Sequence, residues 1–123
     1  MDPAGYLYSI DHVWIRAEDG VGTVGLTDHA RHEIGAIEKV DLPEAGDHFE
    51  AGEPFGALES DRVVAEIFSP VTGEIVDVNP RLTEQPELVS QSPYEDGWLI
   101  RVRIEYPEEL KDLFSLKKYQ EYI

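Results

Sequence analysis

Two short segments of the sequence place polar side chains at spacings that could do chemistry. In the first, His29 and His32 lie three residues apart between Asp28 and Glu33, and residues i and i+3 share one face of a helix. Imidazole and carboxylate groups on one face are common zinc ligands. The helix that would carry them is barely one turn long. The pattern therefore favours an exposed polar face over a metal site.

The second segment is Glu59-Ser60-Asp61-Arg62, a polar stretch between two apolar, alternating arms. This arrangement predicts a β-hairpin whose tip presents these four side chains to solvent. Solvated carboxylates at a tip are poorly suited to acid–base catalysis, and Ser60 lacks the sequence context of a nucleophile. An exposed tip is instead a good place to display a group to other proteins.

The composition excludes several classes of partner. The 123 residues contain 10 Lys+Arg against 26 Asp+Glu, which gives a formal net charge of −16. Such a field repels phosphate backbones and anionic lipid, so we expect neither nucleic acid nor a membrane as partner, but proteins with basic docking faces. The absence of cysteine excludes a disulfide scaffold, a thiolate metal site and a cysteine nucleophile. The only lysines are Lys39, Lys111, Lys117 and Lys118.

The sequence gives no sign of targeting to or across a membrane. Residues 1–8 lack the basic and apolar regions of a signal peptide, and no apolar run reaches the ~20 residues of a membrane span. We expect a cytoplasmic monomer with a single domain over residues 1–123. Its β body would cover about 6–104 and its helical tail about 107–122.

The punctuation between residues 6 and 103 is typical of β structure. Gly or Pro recurs every few residues, and the apolar or alternating runs between them are too short for helices. These runs predict a mainly β fold, a sandwich or barrel. The predicted strands are 12–16, 22–26, 37–42, 55–59, 63–68, 74–78 and 98–104. The aromatic residues Tyr6, Tyr8, Trp14, Phe68, Tyr94 and Trp98 are predicted to form the core and its edges.

Short helices are predicted at two places. After residue 26, Thr27 is a suitable N-cap, and Gly35 can end a helix whose apolar side holds Ala30 and Ile34. In the tail, a helix would begin at Pro107.

A second tail helix, 116–122, would be capped by Ser115. Its apolar face would hold Leu116, Tyr119 and Ile123, and Tyr122 would also help to pack the tail on the β body.

A set of motifs runs in order through roughly residues 6–122. Taken together, they closely resemble the glycine cleavage H-protein family of biotinyl/lipoyl carriers. The resemblance implies a barrel-sandwich hybrid, the lipoyl-domain-like hammerhead, with C-terminal helices on the β body. The motifs are Asp11-His12-x-Trp14, Val24-Gly25-Leu26-Thr27-Asp28-His29-Ala30, Val40-Asp41-Leu42-Pro43-Glu44-Ala45-Gly46, Phe55-Gly56-Ala57-Leu58-Glu59-Ser60, Ser69-Pro70-Val71-Thr72-Gly73-Glu74-Ile75-Val76-Asp77-Val78-Asn79, Pro86-Glu87-Leu88-Val89 and Ser92-Pro93-Tyr94-Glu95-Asp96-Gly97-Trp98-Leu99.

The resemblance also implies a mechanism. Members of the family carry a lipoyl group in amide linkage to a lysine at the hairpin tip. That arm visits glycine decarboxylase, aminomethyltransferase and dihydrolipoyl dehydrogenase, and the carrier shields the aminomethyl intermediate in a surface cleft. The carrier itself catalyses nothing, so the resemblance implies no enzyme activity and no catalytic residue.

This sequence departs from the family motif at the residue that matters most. The motif is Glu-Ser-x-Lys, and the corresponding residue here is Arg62. A guanidinium is delocalised, stays protonated and is a very poor nucleophile. We therefore predict that the chain is not lipoylated at this position and holds no cofactor there. Lys39 is the nearest lysine, and it lies on a different predicted strand.

Two functions remain open at this point. The other changes, Val13 in place of an acidic residue and Ala36 in place of an aspartate, favour a non-carrier scaffold or regulatory paralogue that docks on lipoyl-handling enzymes or a lipoate ligase. The alternative is a functional aminomethyl carrier that uses another lysine or a non-covalently held lipoyl group.

Overall fold

The computed structural model describes residues 6–123 as two antiparallel sheets with short helices against them. A six-stranded sheet has the order β1-β2-β3-β9-β8-β5, and a three-stranded sheet has the order β4-β6-β7. The strands are β1 (Tyr6–Tyr8), β2 (Val13–Glu18), β3 (Val21–Leu26), β4 (Ile37–Asp41), β5 (His48–Phe49), β6 (Pro54–Ser60), β7 (Val64–Phe68), β8 (Gly73–Val78) and β9 (Ile100–Ile104).

The helices are all short. The α-helices are α1 (Asp28–Ile34), α2 (Leu88–Gln91) and α3 (Leu116–Tyr122), and Pro80–Thr83 and Pro107–Asp112 form 3₁₀ turns. Within residues 6–123, none of these helices has the length and apolar character needed to cross a membrane. The prediction for residues 1–8 lies largely outside the described part of the chain.

The predicted mainly β class is confirmed. All seven predicted strands are present, with ends that differ by at most two residues. The sequence pattern missed β1 and β5, because strands of three and two residues are too short for alternation to be recognised. It also missed α2, and the predicted helix at Pro107 is a 3₁₀ turn.

The core has two parts. The larger cluster fills the space between the two sheets and includes Val24, Leu58, Ile67 and Ile100. The smaller cluster is aromatic and holds Tyr6, Tyr8, Trp14 and Tyr119, with Tyr94 and Trp98 packed at its edge. The prediction that the aromatic residues form the core and its edges is therefore confirmed for both tryptophans and for Tyr6, Tyr8 and Tyr94.

Helix α1 has the bounds that its capping residues predict. The Thr27 Oγ1 accepts a hydrogen bond from the Ala30 N–H at 3.2 Å, and Ala30 and Ile34 are buried. Gly35 ends the helix with φ of +91°, a conformation that favours glycine, and its N–H donates to the Arg31 carbonyl.

The tail docks on the β body as predicted. The Tyr8 and Phe114 backbones exchange hydrogen bonds of 2.9 and 2.7 Å, and the Tyr119 ring stacks on Tyr8 with centroids 4.9 Å apart. The Ser115 side chain caps α3 as expected. The predicted apolar face is only partly correct, because Tyr119 is buried but Ile123 is 51% exposed. Tyr122 does help to pack the tail although it is 52% exposed, since its ring lies 5.4 Å from the Phe114 ring and 6.0 Å from the His12 ring.

The Tyr119 hydroxyl joins three elements. It lies 2.8 Å from the Thr27 Oγ1 and 2.7 Å from the His12 Nδ1. Within residues 6–123, every buried side-chain nitrogen and oxygen atom has a hydrogen-bond partner. The Tyr119 hydroxyl is one of the partners of the buried Thr27 hydroxyl.

We therefore predict that Tyr119→Phe lowers the free energy of unfolding by about 1–2 kcal/mol, because it leaves a buried Thr27 hydroxyl with one partner fewer. Urea denaturation measures this loss. Tyr122→Phe is the matched control, since the Tyr122 hydroxyl is exposed and its bond within residues 6–123 is to the Ile10 carbonyl at 3.4 Å. Equal losses in the two variants would contradict the prediction.

Candidate functional site

The β6–β7 hairpin carries the candidate site. Glu59 pairs with Val64, and the Ser60 N–H donates to the Val63 carbonyl at 2.9 Å. The tip is therefore Asp61 to Val63, and the predicted four-residue tip is wrong in its first half. Glu59 and Ser60 belong to strand β6, because one further backbone hydrogen bond extends the hairpin past the last apolar residue.

Ser60 organises the tip from inside. Its side chain is 8% exposed, and its Oγ accepts hydrogen bonds from the N–H groups of Arg62 and Val63 at 3.1 and 3.2 Å. This is the local turn chemistry that serine commonly provides. The expectation that Ser60 points to solvent is wrong, since the turn consumes its hydroxyl.

The remaining tip residues are exposed, but they do not all extend into solvent. Asp61 is exposed, and Val63 and Val64 are 42% and 71% exposed. The Arg62 side chain folds back, and its Nη2 donates to the Glu33 carbonyl at 3.1 Å. This end of the hairpin therefore presents Asp61 and Val63 of the tip and Val64, the first residue of β7, outward, with the guanidinium turned towards helix α1.

A cavity of about 160 Å³ lies between α1 and the hairpin. Its apolar part comes from α1, the hairpin and the end of β3. Its polar part is acidic apart from one histidine, and no lysine or arginine of the described chain lines it. The lining is Leu26, Ala30, Ile34, Leu58, Ala65 and Ile67, with Asp11, His12, Glu33 and Glu66.

Two of the substituted positions lie apart from this cavity. Val13 is buried in the main core and is not among the cavity residues, whereas the preceding Asp11 and His12 are. Ala36 is exposed between α1 and β4. The sequence alone could not show which of these residues line the cavity. Short non-periodic segments have no pattern that assigns one residue to the cavity and its neighbour to the core or to solvent.

His12 sits in a constrained position beside the cavity. Its φ is +64°, which is uncommon outside glycine, and its ring lies 4.6 Å from the His29 ring. Burial lowers the pKa of His12, and the nearby His29 lowers it further, while Glu33 and Asp11 act in the opposite direction. The neutral imidazole is therefore favoured in the folded protein.

The histidines of α1 do not form a metal site in this structure. The His29 Nε2 pairs with the Glu33 Oε1 at 3.0 Å. No three His, Asp or Glu side chains within residues 6–123 are placed to hold a metal ion together.

A wider, open groove of about 540 Å³ lies elsewhere, between the end of β4 and the end of β8. Apolar side chains such as Leu42 and Val78 line it together with Asp41, Glu44 and Asp77, and no described lysine or arginine does. Its apolar surface and acidic lining suit a partner segment that carries aliphatic and basic side chains.

Lysines are absent from the tip and from the cavity lining within the described residues. Lys39 comes nearest, since it is exposed on β4 and pairs across the sheet with Glu59. Residues 6–123 thus provide no amine at the tip itself and one exposed amine on the neighbouring strand, beside the tip end of the hairpin.

Comparison with known proteins places the chain among related sequences and structures. Residues 6–123 match the family described as glycine cleavage H-protein. The glycine cleavage system H protein of Streptomyces avermitilis is 47% identical over 98% of this chain and 96% of that protein. The mitochondrial one of Flaveria pubescens is 46% identical over 94% of this chain and 76% of that protein. A crystal structure of the Mycobacterium marinum glycine cleavage system H protein has a TM-score of 0.89 at 32% identity, with coverage of 99% and 100%.

The His12 environment predicts a pH dependence of stability. In the unfolded chain His12 titrates near its ordinary pKa of 6.5, and in the folded protein it titrates lower. The contribution of neutral His12 to the free energy of unfolding is therefore complete above pH ~6.5. It is lost as the pH falls through the lowered pKa of the folded protein, because the unfolded chain binds the proton at a higher pH than the folded chain does. Urea denaturation from about pH 7.5 to about pH 5 measures the slope. His12→Asn, which tolerates the positive φ and does not titrate, is expected to give a shallower slope. Identical slopes would contradict the assignment.

Proposed function

The chain belongs to the glycine cleavage H-protein family, and we propose that it is a member that does not carry lipoate. Proteins of this family are carriers rather than enzymes, and so this chain is not an enzyme. We propose that it acts as a scaffold or regulator by docking on proteins that handle the lipoyl group. The observation that carries this proposal is Arg62 at the position where the resemblance places the lipoyl lysine.

The chemistry of Arg62 supports the first half of the proposal. Amide formation requires an amine that can lose its proton and attack an activated acyl group, and a guanidinium does neither. The side chain is also engaged with the backbone of α1, with its Nη2 3.1 Å from the Glu33 carbonyl oxygen. No other basic side chain of residues 6–123 takes its place at the tip.

The surface supports the docking half. Val63 at the tip and the adjoining Val64 are exposed. The open groove combines the apolar side chains of Leu42 and Val78 with the carboxylates of Asp41 and Glu44, which would attract basic side chains. Apolar area gives affinity, and the net charge of −16 steers basic partners. By family resemblance, we propose glycine decarboxylase, aminomethyltransferase, dihydrolipoyl dehydrogenase or a lipoate ligase as partners.

The second candidate function is a working aminomethyl carrier. It would use another lysine or a lipoyl group held without a covalent bond. The observation that favours it is Lys39, an exposed amine on β4 that pairs with Glu59, next to the tip of the hairpin. An arm attached there would start from the edge of the three-stranded sheet rather than from the tip.

The two candidates are separated by a lipoylation assay. We predict that incubation with lipoate, ATP and a lipoate ligase leaves the mass of the chain unchanged, whereas Arg62→Lys gains one lipoyl group under the same conditions. Intact-mass spectrometry measures both. A stoichiometric adduct on the unsubstituted chain would contradict the proposal, and loss of that adduct in Lys39→Arg would assign it to the second candidate.

Docking is tested by competition. We predict that the unmodified chain inhibits a reconstituted glycine cleavage reaction driven by a lipoylated relative, and that the inhibition weakens between low and high salt because the attraction is electrostatic. The rate of glycine-dependent CO₂ release measures it. An Asp41→Lys/Glu44→Lys variant should inhibit less, and Glu18→Lys/Glu121→Lys, which makes the same change in net charge at exposed residues outside the groove, is the matched control. Absence of inhibition at a large excess of the chain would contradict docking on these enzymes.

A further inference from the structure

The contact between Arg62 and helix α1 joins two segments that are far apart in the sequence. The Arg62 Nη2 donates to the Glu33 carbonyl at 3.1 Å and lies 3.5 Å from the His32 carbonyl oxygen. Both carbonyls belong to the last turn of α1. We call this contact the Arg62 cap.

The electrostatics of the helix end favour the Arg62 cap. The last carbonyls of a helix lack partners within the helix and carry a partial negative charge. The last turn of α1 holds two basic residues, Arg31 and His32, and the Arg31 Nε is bonded to the Asp28 Oδ1 at 2.8 Å. The charge that meets these carbonyls therefore comes from the hairpin.

The space for the guanidinium exists because residue 35 is glycine. A Cβ on Gly35 would lie 2.7 Å from the Arg62 Nη2, closer than a Cβ atom comes to such a neighbour, and 3.2 Å from its Nε, which is a tight contact. The planar guanidinium thus lies against the bare backbone at the point where α1 ends. The lack of a side chain at Gly35 therefore allows both the positive φ that ends α1 and the close approach of the Arg62 guanidinium.

The other end of the arginine is fixed as well. The Ser60 Oγ accepts the N–H groups of Arg62 and Val63, and this turn sets the direction in which the Arg62 side chain leaves the tip. Both ends of the link between hairpin and helix are therefore determined by specific hydrogen bonds.

The two elements joined by the cap are also the two walls of the 160 Å³ cavity. Ala30, Glu33 and Ile34 line it from α1, and Leu58 and Ala65 line it from the hairpin. We propose that Arg62 is a positioning residue that holds the hairpin tip against α1 and so fixes the separation of the cavity walls. This inference is independent of the proposed docking, because the cap acts within the chain whether or not a partner binds.

Hydrogen exchange measured by NMR tests the proposal in the intact chain. Arg62→Met keeps the aliphatic stem and removes the donors. We expect the amides of Val63 and Gly35, one at each end of the cap, to exchange about three- to tenfold faster, the range for losing one such hydrogen bond at a helix end. The Leu99 amide, bonded to Val24 in the core, should change less than twofold.

Arg103→Met is the matched control. The Arg103 guanidinium is also exposed and bonds the Glu74 carboxylate at 2.9 Å, and it lies on β9 of the six-stranded sheet, outside the sheet that contains the hairpin. This variant should leave Val63 and Gly35 unchanged. Unchanged exchange at Val63 and Gly35 in Arg62→Met would overturn the proposal. An equal acceleration at Leu99 would also overturn it, because Arg62 would then support global stability and not the tip.

Discussion

The buried hydroxyl of Thr27 is the constraint on which the candidate site depends. This side chain lies at the junction of β3 and α1, fully excluded from solvent, and a buried hydroxyl must find hydrogen-bond partners. Its partners are the Ala30 N–H in the first turn of α1 and the Tyr119 hydroxyl of α3. The first bond caps the start of α1, and the second holds α3 against the same residue. Helix α1 then supplies one wall of the cavity and the carbonyls that Arg62 meets. A single residue thus sets where the helix begins and what surrounds it.

Sequence reasoning worked where the determining interactions are local. Thr27 and Gly35 bound α1 because capping depends on residues within one turn, and the hairpin follows from alternation on both sides of a polar stretch. It failed where the interaction joins distant segments. Nothing in the residues around Arg62 indicates that its side chain would turn towards the Glu33 carbonyl, because the direction depends on how α1 packs over the hairpin. The burial of Ser60 was missed for a related reason, since the extra backbone hydrogen bond that includes it in β6 carries no apolar signal.

The charges are arranged so that the arginines are largely committed within the chain. Four of them form exposed ion pairs with neighbouring carboxylates, and Arg62 bonds a helix end. Such exposed pairs contribute little stability. Their effect here is to leave the excess carboxylates as the charge that a partner meets. The four pairs are Arg31–Asp28, Arg81–Asp96, Arg101–Asp77 and Arg103–Glu74.

The hydrogen bonds between Tyr8 and Phe114 bear on aggregation as well as on docking of the tail. Strand β1 is an edge of the six-stranded sheet, and an open edge is a template for pairing with another chain. The tail covers that edge, and the opposite edge, β5, is only two residues long. Within residues 6–123, no segment forms a backbone bridge to an edge of the three-stranded sheet as Phe114 does to β1, but the edges β4 and β7 carry charged residues, including Lys39 and Glu66. Lysine on an exposed edge discourages strand addition. Protection of the β4 edge therefore explains Lys39 without any group attached to its amine.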